Sequence, residues 1–539
     1  MGARRHIEGR AVQRTQHLAA AEPPPAERRH RVRAAVVKGT KHSVDATHQD
    51  PIGADIGETA HFAFTEVRQV TELHRRIVRT PAVTGDPRSP GPSARDIILG
   101  DSTPTPAALL SESPVNLGSA PVGLESYLSP DFAQAEHEHM WSRVWQWACR
   151  EEHIPEAGDY VVYDIGDRSA LVVRGEDGAI RAFPNSCLHR ATQLKPAGSM
   201  GFSTQIRCPF HGWTWDTQGN MADLPCPWDF PEVDPSDNPL PQIQTDTWGG
   251  FVFVNWDPAA SPLEEYLGIL PEHFAQWALE DRYVEIHIRK RLPANWKAAQ
   301  EAFLEAYHIL ETHPQSIATA GDANAVYDVF DAHVSRFIHT AATPSPHVPE
   351  EQRPSEPEIL ELLLARKFPG ESVPEIPEGE RARDVYARFM QSLLGDKYDK
   401  DFSDLSISET IDSIEYFLFP NAFFFPGLQY PMAYRFRPDG ADIDHTIFDL
   451  LILRPVPDNG RRPEPAQPFD LDVDDSYTTV PDIQQSLGAV YDQDTGNLAA
   501  QTRGLRSSTT GHQNLGVYQE SRIRQMHATL ATYLSGRPS

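Results

Sequence analysis

The apolar positions of the chain fall into two regimes that meet near residue 97. Before it no helical or strand period is sustained, and PPP at 23–25 and GDPRSPGPSARD at 85–96 break the pattern. Residues 1–98 therefore predict a disordered N-terminal extension, with order beginning near Ile97. Residues 99–154 predict a helical segment. Its clearest part is SPDFAQAEHEHMWSRVWQWACR (129–150), where Ser129 before Pro130 marks a start and apolar residues recur on one face. Short alternating runs follow: DYVVYDIG, SALVVRG, GAIRAFPN, STQIRCPF, WTWDTQGN and WGGFVFVNWD, separated by turns such as GEDGA. They predict a small antiparallel β domain over 155–260.

A longer domain is predicted over 261–539. VEIHIRKRL (284–292) alternates like a strand, and NWKAAQEAFLEAYHIL (295–310) reads as a helix. EPEILELLLARKF and ERARDVYARFMQSLL predict helices in an insert at about 350–410. Strand-like runs return as SIEYFLFP, NAFFFPG, MAYRFRP and HTIFDLLILRP. PEPAQPFDLDVDD (463–475) reads as an acidic loop, and two helices close the chain at about 483–503 and 517–535. The aromatic run EYFLFPNAFFFPG (415–427) reads as sheet core before pocket lining. The fold class is α+β.

Charge narrows the function. The net charge of -28 argues against a nucleic-acid partner, because a phosphate backbone demands a basic face. The exception is the segment up to Asp96, with 16 Lys/Arg against 11 Asp/Glu. No run of about 18 apolar residues is present, so no membrane span is expected, and mean hydropathy is -0.46. The opening MGARRHIEGRAVQRT has no apolar core of a secretory signal. Four cysteines are too few for a disulfide scaffold, which points to a cytoplasmic protein with reduced thiols. Cys149 and Cys226 have no partner at ligand spacing and read as buried small residues.

The other two cysteines lie in NSCLHRATQLKPAGSMGFSTQIRCPFHGW (185–213). Cys187 and His189 form Cys-x-His; after eighteen intervening residues, Cys208 and His211 form Cys-x-x-His. Two such loops can grip one [2Fe–2S] cluster, two thiolates on one iron and two imidazoles on the other. A structural zinc site also takes two Cys and two His, but zinc fingers usually pair like with like along the chain. This stretch resembles the Rieske domain of the aromatic-ring-hydroxylating oxygenases, in their alpha subunit. That resemblance implies a Rieske cluster, a separate mononuclear Fe(II), and a catalytic domain of helix-grip (START-like) fold.

The second motif lies in NWKAAQEAFLEAYHILETHPQ (295–315), with His308 and His313. Five residues apart, they turn about 140° from each other on an ideal helix. They converge only if the helix opens after His308, and Thr312-His313-Pro314 supplies a break. By spacing alone they also suit ordinary helix-end histidines. The stretch resembles the family's iron motif, which implies that both are iron ligands. The third ligand must be a carboxylate. In AVYDQDTGNLAAQTRGLRSS (489–508) the resemblance lands on Asp494, with Asp492 as fallback.

Glu305, three residues before His308, stands where relatives usually carry Asp. There the acid links a neighbouring subunit's Rieske histidine, here His211, to the iron histidine. The resemblance further implies a homotrimer or α3β3 assembly, a hydrophobic organic substrate with O2, and oxidative demethylation as the alternative chemistry. No GxGxxG follows a strand, so electrons must come from a separate NAD(P)H-dependent reductase, through a ferredoxin or directly. A Rieske electron carrier without a working iron is the rival from another class.

Overall fold

The computed structural model describes residues 91–457 and 461–536. The disorder predicted up to residue 90 lies outside these residues. Its last stretch is corrected: Ala94–Leu99 is a helix, capped by Ser93, whose Oγ accepts the Asp96 N–H at 3.2 Å. The Ala94 N–H donates to the Asn324 carbonyl at 2.8 Å, so the ordered chain starts before Ile97. Just beyond, the buried Asp101 carboxylate meets the Arg383 guanidinium at 2.9 Å, and Arg383 also reaches Asp412 at 2.8 Å. This buried triad ties the N-terminal segment to the insert. Arg383→Met leaves the buried Asp412 carboxylate without its cation and Asp101 with Arg381 alone, and a urea melt is expected to show a loss of about 3 kcal/mol or more.

The helix predicted over 129–150 is also shorter. It runs Pro130–Glu136, passes into a π-helical turn His137–Trp141, and gives way to a strand, Gln146–Arg150. All five strand residues are buried. Burial on both faces erases the alternation that marks a half-exposed strand, so the sequence pattern does not reveal it. The strand pairs with Phe251–Asn255, which pairs with Gln244–Trp248. A four-stranded antiparallel sheet runs in the order Ile180–Pro184, Arg168–Arg174, Asp159–Ile165, Met200–Phe202. A third, of Ile206–Arg207, Thr214–Trp215 and Met221–Asp223, carries the second Cys/His loop between its first two strands.

The following region is built on one eight-stranded sheet. Its order is Val326–Val329, Val334–His339, Ser413–Leu418, Ala422–Phe424, Met432–Asp439, Asp442–Pro455, Arg282–Leu292, Phe469–Leu471. All neighbours are antiparallel except the last pair. Phe469–Leu471 lies in the predicted acidic loop; only its partner strand makes it extended, since three residues carry no period of their own. The C-terminal helix Ser521–Leu534 packs on Val326–Val329 and Val334–His339. Tyr416, Phe417, Phe423 and Phe424 are all sheet core. The insert helices Glu356–Lys367, Ala382–Tyr398 and Ile407–Ile411 close around a separate apolar cluster. The helix predicted at 483–503 is two, Gln485–Gly496 and Leu498–Ser507, meeting at Asn497.

Candidate metal centre

The two Cys/His loops are copies of one another. The Cys187 carbonyl accepts the Ala191 N–H at 2.9 Å, and the Cys187 N–H donates to the Thr192 carbonyl at 2.9 Å. The Cys208 carbonyl accepts the Gly212 N–H at 3.1 Å, and the Cys208 N–H donates to the Trp213 carbonyl at 2.8 Å. Each loop turns through a left-handed residue, Ala191 at φ 56° and Gly212 at φ 80°. Glycine suits the second, where a Cβ would stand 2.8 Å from the Arg207 guanidinium and push it aside.

The loops bring His189 and His211 to a ring separation of 4.7 Å, with Trp213 stacked on His189 at 5.1 Å. Both thiols are buried and free. Burial pushes the Cys187 thiol up, opposed by the backbone N–H groups of His189 and Arg190. Those N–H groups are the kind of donor that steadies a cluster sulfur. His189 Nδ1 is buried without a partner among the described residues, a cost of about 1–3 kcal/mol that a bound metal removes. The residues therefore fit a [2Fe–2S] cluster. His211 faces outward, its Nε2 3.2 Å from Arg190 Nη2. Of the remaining cysteines, Cys149 is buried in strand Gln146–Arg150 and its thiol is pushed up to about 12 by burial. Cys226 is exposed, against expectation, in a left-handed position ahead of Pro227.

The second group begins where the predicted helix over 295–310 stops early. Asn295 caps it through the Lys297 N–H, and the Trp296 indole and Lys297 ammonium both reach the buried Glu136 carboxylate, at 3.1 and 2.6 Å. This anchor holds Trp296–Glu301 as a helix, and the backbone then opens over residues 302–308. The opening lies before His308, not after it as the sequence suggested. Its freed polar groups find side chains. The Ala306 N–H donates to the Tyr327 hydroxyl at 2.9 Å, Arg522 donates to the Leu304 carbonyl at 3.2 Å, and the His308 N–H donates to Glu305 Oε2 at 3.0 Å. One short turn, Ile309–Thr312, follows, and His313 leaves it at φ -124°.

His308, His313 and Asp494 converge, with ligand atoms within 4.8 Å of one another. Asp494 Oδ1 lies 2.6 Å from His313 Nε2 and 3.4 Å from His308 Nε2. Each Nδ1 is committed elsewhere, that of His308 to Glu305 Oε1 at 2.8 Å and that of His313 to Gln493 Oε1 at 2.9 Å. Both Nδ1 atoms thus carry a proton, and both Nε2 atoms face the shared space. Burial opposes charge on His308, but Glu305 and Asp494 outweigh it and hold the imidazole up to about 10. Burial likewise raises the Asp494 carboxyl, yet its bonds to the two histidines leave it below the usual range. Two carboxylates around two imidazoles favour a cation, and the donor set suits ferrous iron.

Asp492 is not part of this group: it accepts from Ser476 Oγ and the Tyr477 N–H. Gln493 was missed because a helix-borne glutamine between two acids carries no signal of its own. Gln493→Leu is expected to weaken iron retention about tenfold, as read by chelator titration. Glu415 was missed as well, hidden in the apolar run EYFLFP, where a lone acid was the available signal. It lines the cavity beside the metal group and pairs with Arg522 at 2.8 Å; burial pushes its carboxyl up to about 7, with Arg522 opposing.

His308, Asp494 and Glu305 stand in a wall between two hollows. On one side is a cavity of about 780 Å³, lined by Phe303, Phe425 and Met432 among others. On the other is a smaller hollow of about 190 Å³ with Glu301 and Glu520.

Residues 144–234 match the Rieske [2Fe-2S] domain family, and residues 272–536 match the ring hydroxylating alpha subunit (catalytic domain) family. The chain belongs to the Rieske ring-hydroxylating oxygenase alpha subunits. With that family come one Rieske [2Fe–2S] cluster and one mononuclear iron. Among relatives of this Rieske alpha subunit, the carnitine monooxygenase oxygenase subunit of Escherichia coli (strain K12) is 31% identical over 190 residues, covering 35% of this chain and 50% of that one. The chlorobenzene dioxygenase subunit alpha of Cupriavidus sp. (strain PS12) is 33% identical over 202 residues, covering 36% and 44%. The matches thus span about half the length of these relatives. The fold is that of the quaternary ammonium Rieske monooxygenase CntA, with TM-score 0.53 at 17% identity over 78% of this chain and 96% of that one. A naphthalene 1,2-dioxygenase gives TM-score 0.55 at 18% identity, over 78% and 93%. No helix among the described residues is long and apolar enough to cross a membrane.

Proposed function

We propose that this alpha subunit uses O2 to hydroxylate an aromatic, polycyclic or other hydrophobic organic molecule, with electrons from NAD(P)H through a separate reductase. The observation that carries the reading is the convergence of His308 Nε2, His313 Nε2 and Asp494 on the wall of a large, largely apolar cavity. Cys187, His189, Cys208 and His211 would hold the cluster, and His308, His313 and Asp494 the iron. Bound there, the cluster supplies single electrons and the iron activates O2 at positions that two histidines and a carboxylate leave open. Phe303, Phe425 and Met432 hold an apolar substrate against that wall and exclude water. Glu305 and Gln493 orient the two imidazoles by accepting their Nδ1 protons.

Beside the outward His211, Arg190 lies over the exposed Phe210 ring at 4.6 Å and makes the tip cationic. The smaller hollow behind His308 presents Glu301, Glu305 and Glu520. Opposite charge supports docking of one subunit's tip at a neighbour's hollow, as in a homotrimer or α3β3 ring, with Glu305 between His211 and His308. Few cysteines and dependence on a reductase support a cytoplasmic location in this reading.

The test is reconstitution with a reductase and NAD(P)H under 18O2, against a panel of hydrophobic substrates. Products carrying one or two labelled atoms are expected, and the label count separates mono- from dioxygenation. A fully loaded, reducible enzyme that labels nothing overturns the reading in favour of an electron carrier.

A further inference from the structure

The cavity beside the metal group contains cations that meet no carboxylate among the described residues. Arg366 and Lys367 end the first insert helix, Glu356–Lys367, and both line that cavity. The Lys367 ammonium donates to the Tyr430 hydroxyl at 2.8 Å, and burial pushes its pKa down. Arg366 donates to Ser316 Oγ at 2.9 Å and to the Gln315 carbonyl at 3.3 Å. Neither meets a carboxylate among the described residues. Cations at a helix C-terminus are often there for the helix dipole alone. An exposed lysine satisfies the dipole, however, while a desolvated ammonium facing a cavity costs stability unless a counter-charge arrives. By contrast Lys397 and Arg454, also on the cavity wall, share Glu285 at 3.6 and 2.8 Å.

Two further groups face the same space. Gln429, next to Tyr430, has its amide nitrogen and its amide oxygen buried beside that phenol, which its side chain helps to draw down. His339 Nδ1 is buried without a partner among the described residues. Lys367 and Arg366 draw the Tyr430 phenol down against the effect of its burial. Burial, with the charges of Lys367 and the two metal-side histidines, takes His339 down to about 4.

We propose that Lys367, Arg366 and Gln429 form an anion subsite, and that the substrate is an organic acid whose carboxylate is held there while its apolar body lies against Phe303, Phe425 and Met432. An ammonium, a partly committed guanidinium and an amide N–H match a singly charged group with two oxygens better than a dianion. Both of its cations come from the insert, and Gln429 from the segment between strands Ala422–Phe424 and Met432–Asp439. The proposal rests on the oxygenase reading only in calling the occupant a substrate.

The test is binding, which needs no turnover. The full chain, loaded with cluster and iron, is titrated calorimetrically with 3-phenylpropionate and indole-3-acetate and with their neutral amides. At least one acid is expected to bind, with its amide at least tenfold weaker. Lys367→Met is expected to weaken the acid at least tenfold and leave the amide unchanged, while Lys397→Met changes neither. Arg366→Gln serves as a second variant should Lys367→Met misfold, and the visible cluster spectrum monitors folding. Equal binding of acid and amide, indifference of the acid to both variants, or no acid binding at all overturns the subsite. Acid-selective binding without any 18O incorporation defeats the oxygenase reading and leaves the subsite standing; turnover confined to neutral compounds does the reverse.

Discussion

Asp494→Ala loses the mononuclear iron, retains both irons of the cluster, and slows oxygenation by at least ~10³-fold, equivalent to ~4 kcal/mol of barrier. The expectation follows from where the carboxylate stands. Asp494 Oδ1 is the one acidic oxygen facing both His308 Nε2 and His313 Nε2 among the described residues. Alanine leaves two neutral imidazoles on a divalent cation, which lowers affinity and removes the charge that makes ferrous binding favourable. The cluster lies in separate loops, so its visible spectrum persists. The control is Asp492→Asn, two residues away. Asp492 only receives hydrogen bonds from Ser476 and Tyr477, so its loss should cost about 1 kcal/mol of stability and no iron. Metal analysis and product yield on the two variants, side by side, decide the matter. An Asp494→Ala protein that holds its full iron and turns over normally rules out the ligand assignment.

Glu305→Gln is expected to keep the iron and lower turnover about 10- to 100-fold. The glutamine oxygen can still accept from His308 Nδ1, so ring orientation survives while the carboxylate charge and the acceptor for the His308 N–H are lost. That charge strengthens the Nδ1–H bond, raises the donor power of Nε2 and, in the proposed docking, meets a neighbour's cationic tip in the smaller hollow. The informative measurement is the rate at which the pre-reduced cluster is oxidised on mixing with O2 and substrate. A slowed rate at full iron content identifies Glu305 as the link between the centres. A normal rate with reduced iron content assigns it to ligand positioning alone. Glu305→Asp, one methylene shorter, should fall between wild type and Glu305→Gln if reach as well as charge matters.

Much of this was legible in residue types and spacing. Cys187, His189, Cys208 and His211 stand close in sequence, in two short loops whose mixed pattern suits little besides a Rieske cluster. Local chemistry closes each loop, with Gly212 free to take a left-handed conformation. The insert helices also declared themselves, because a period near 3.6 survives wherever one face stays wet. The Gln146–Arg150 strand did not, because burial on both faces leaves no alternation to read. Nor did Phe469–Leu471, which is extended only because Arg282–Leu292 lies beside it.

The sequence by itself determined the α+β class and the paired Cys/His loops, which depend on residue identity and on periods within a few turns of chain; the second centre was legible only through its resemblance to the family's motif. Tertiary structure decided which acid meets the histidines, because 181 residues separate His313 from Asp494 and no local rule spans that distance. It also decided where the helix opens: before His308, since the Tyr327 hydroxyl and the Arg522 guanidinium, both remote in sequence, satisfy the backbone released there. And it left Lys367 without an acid among the described residues, a fact about the far wall of a folded cavity that no reading of neighbours along the chain contains.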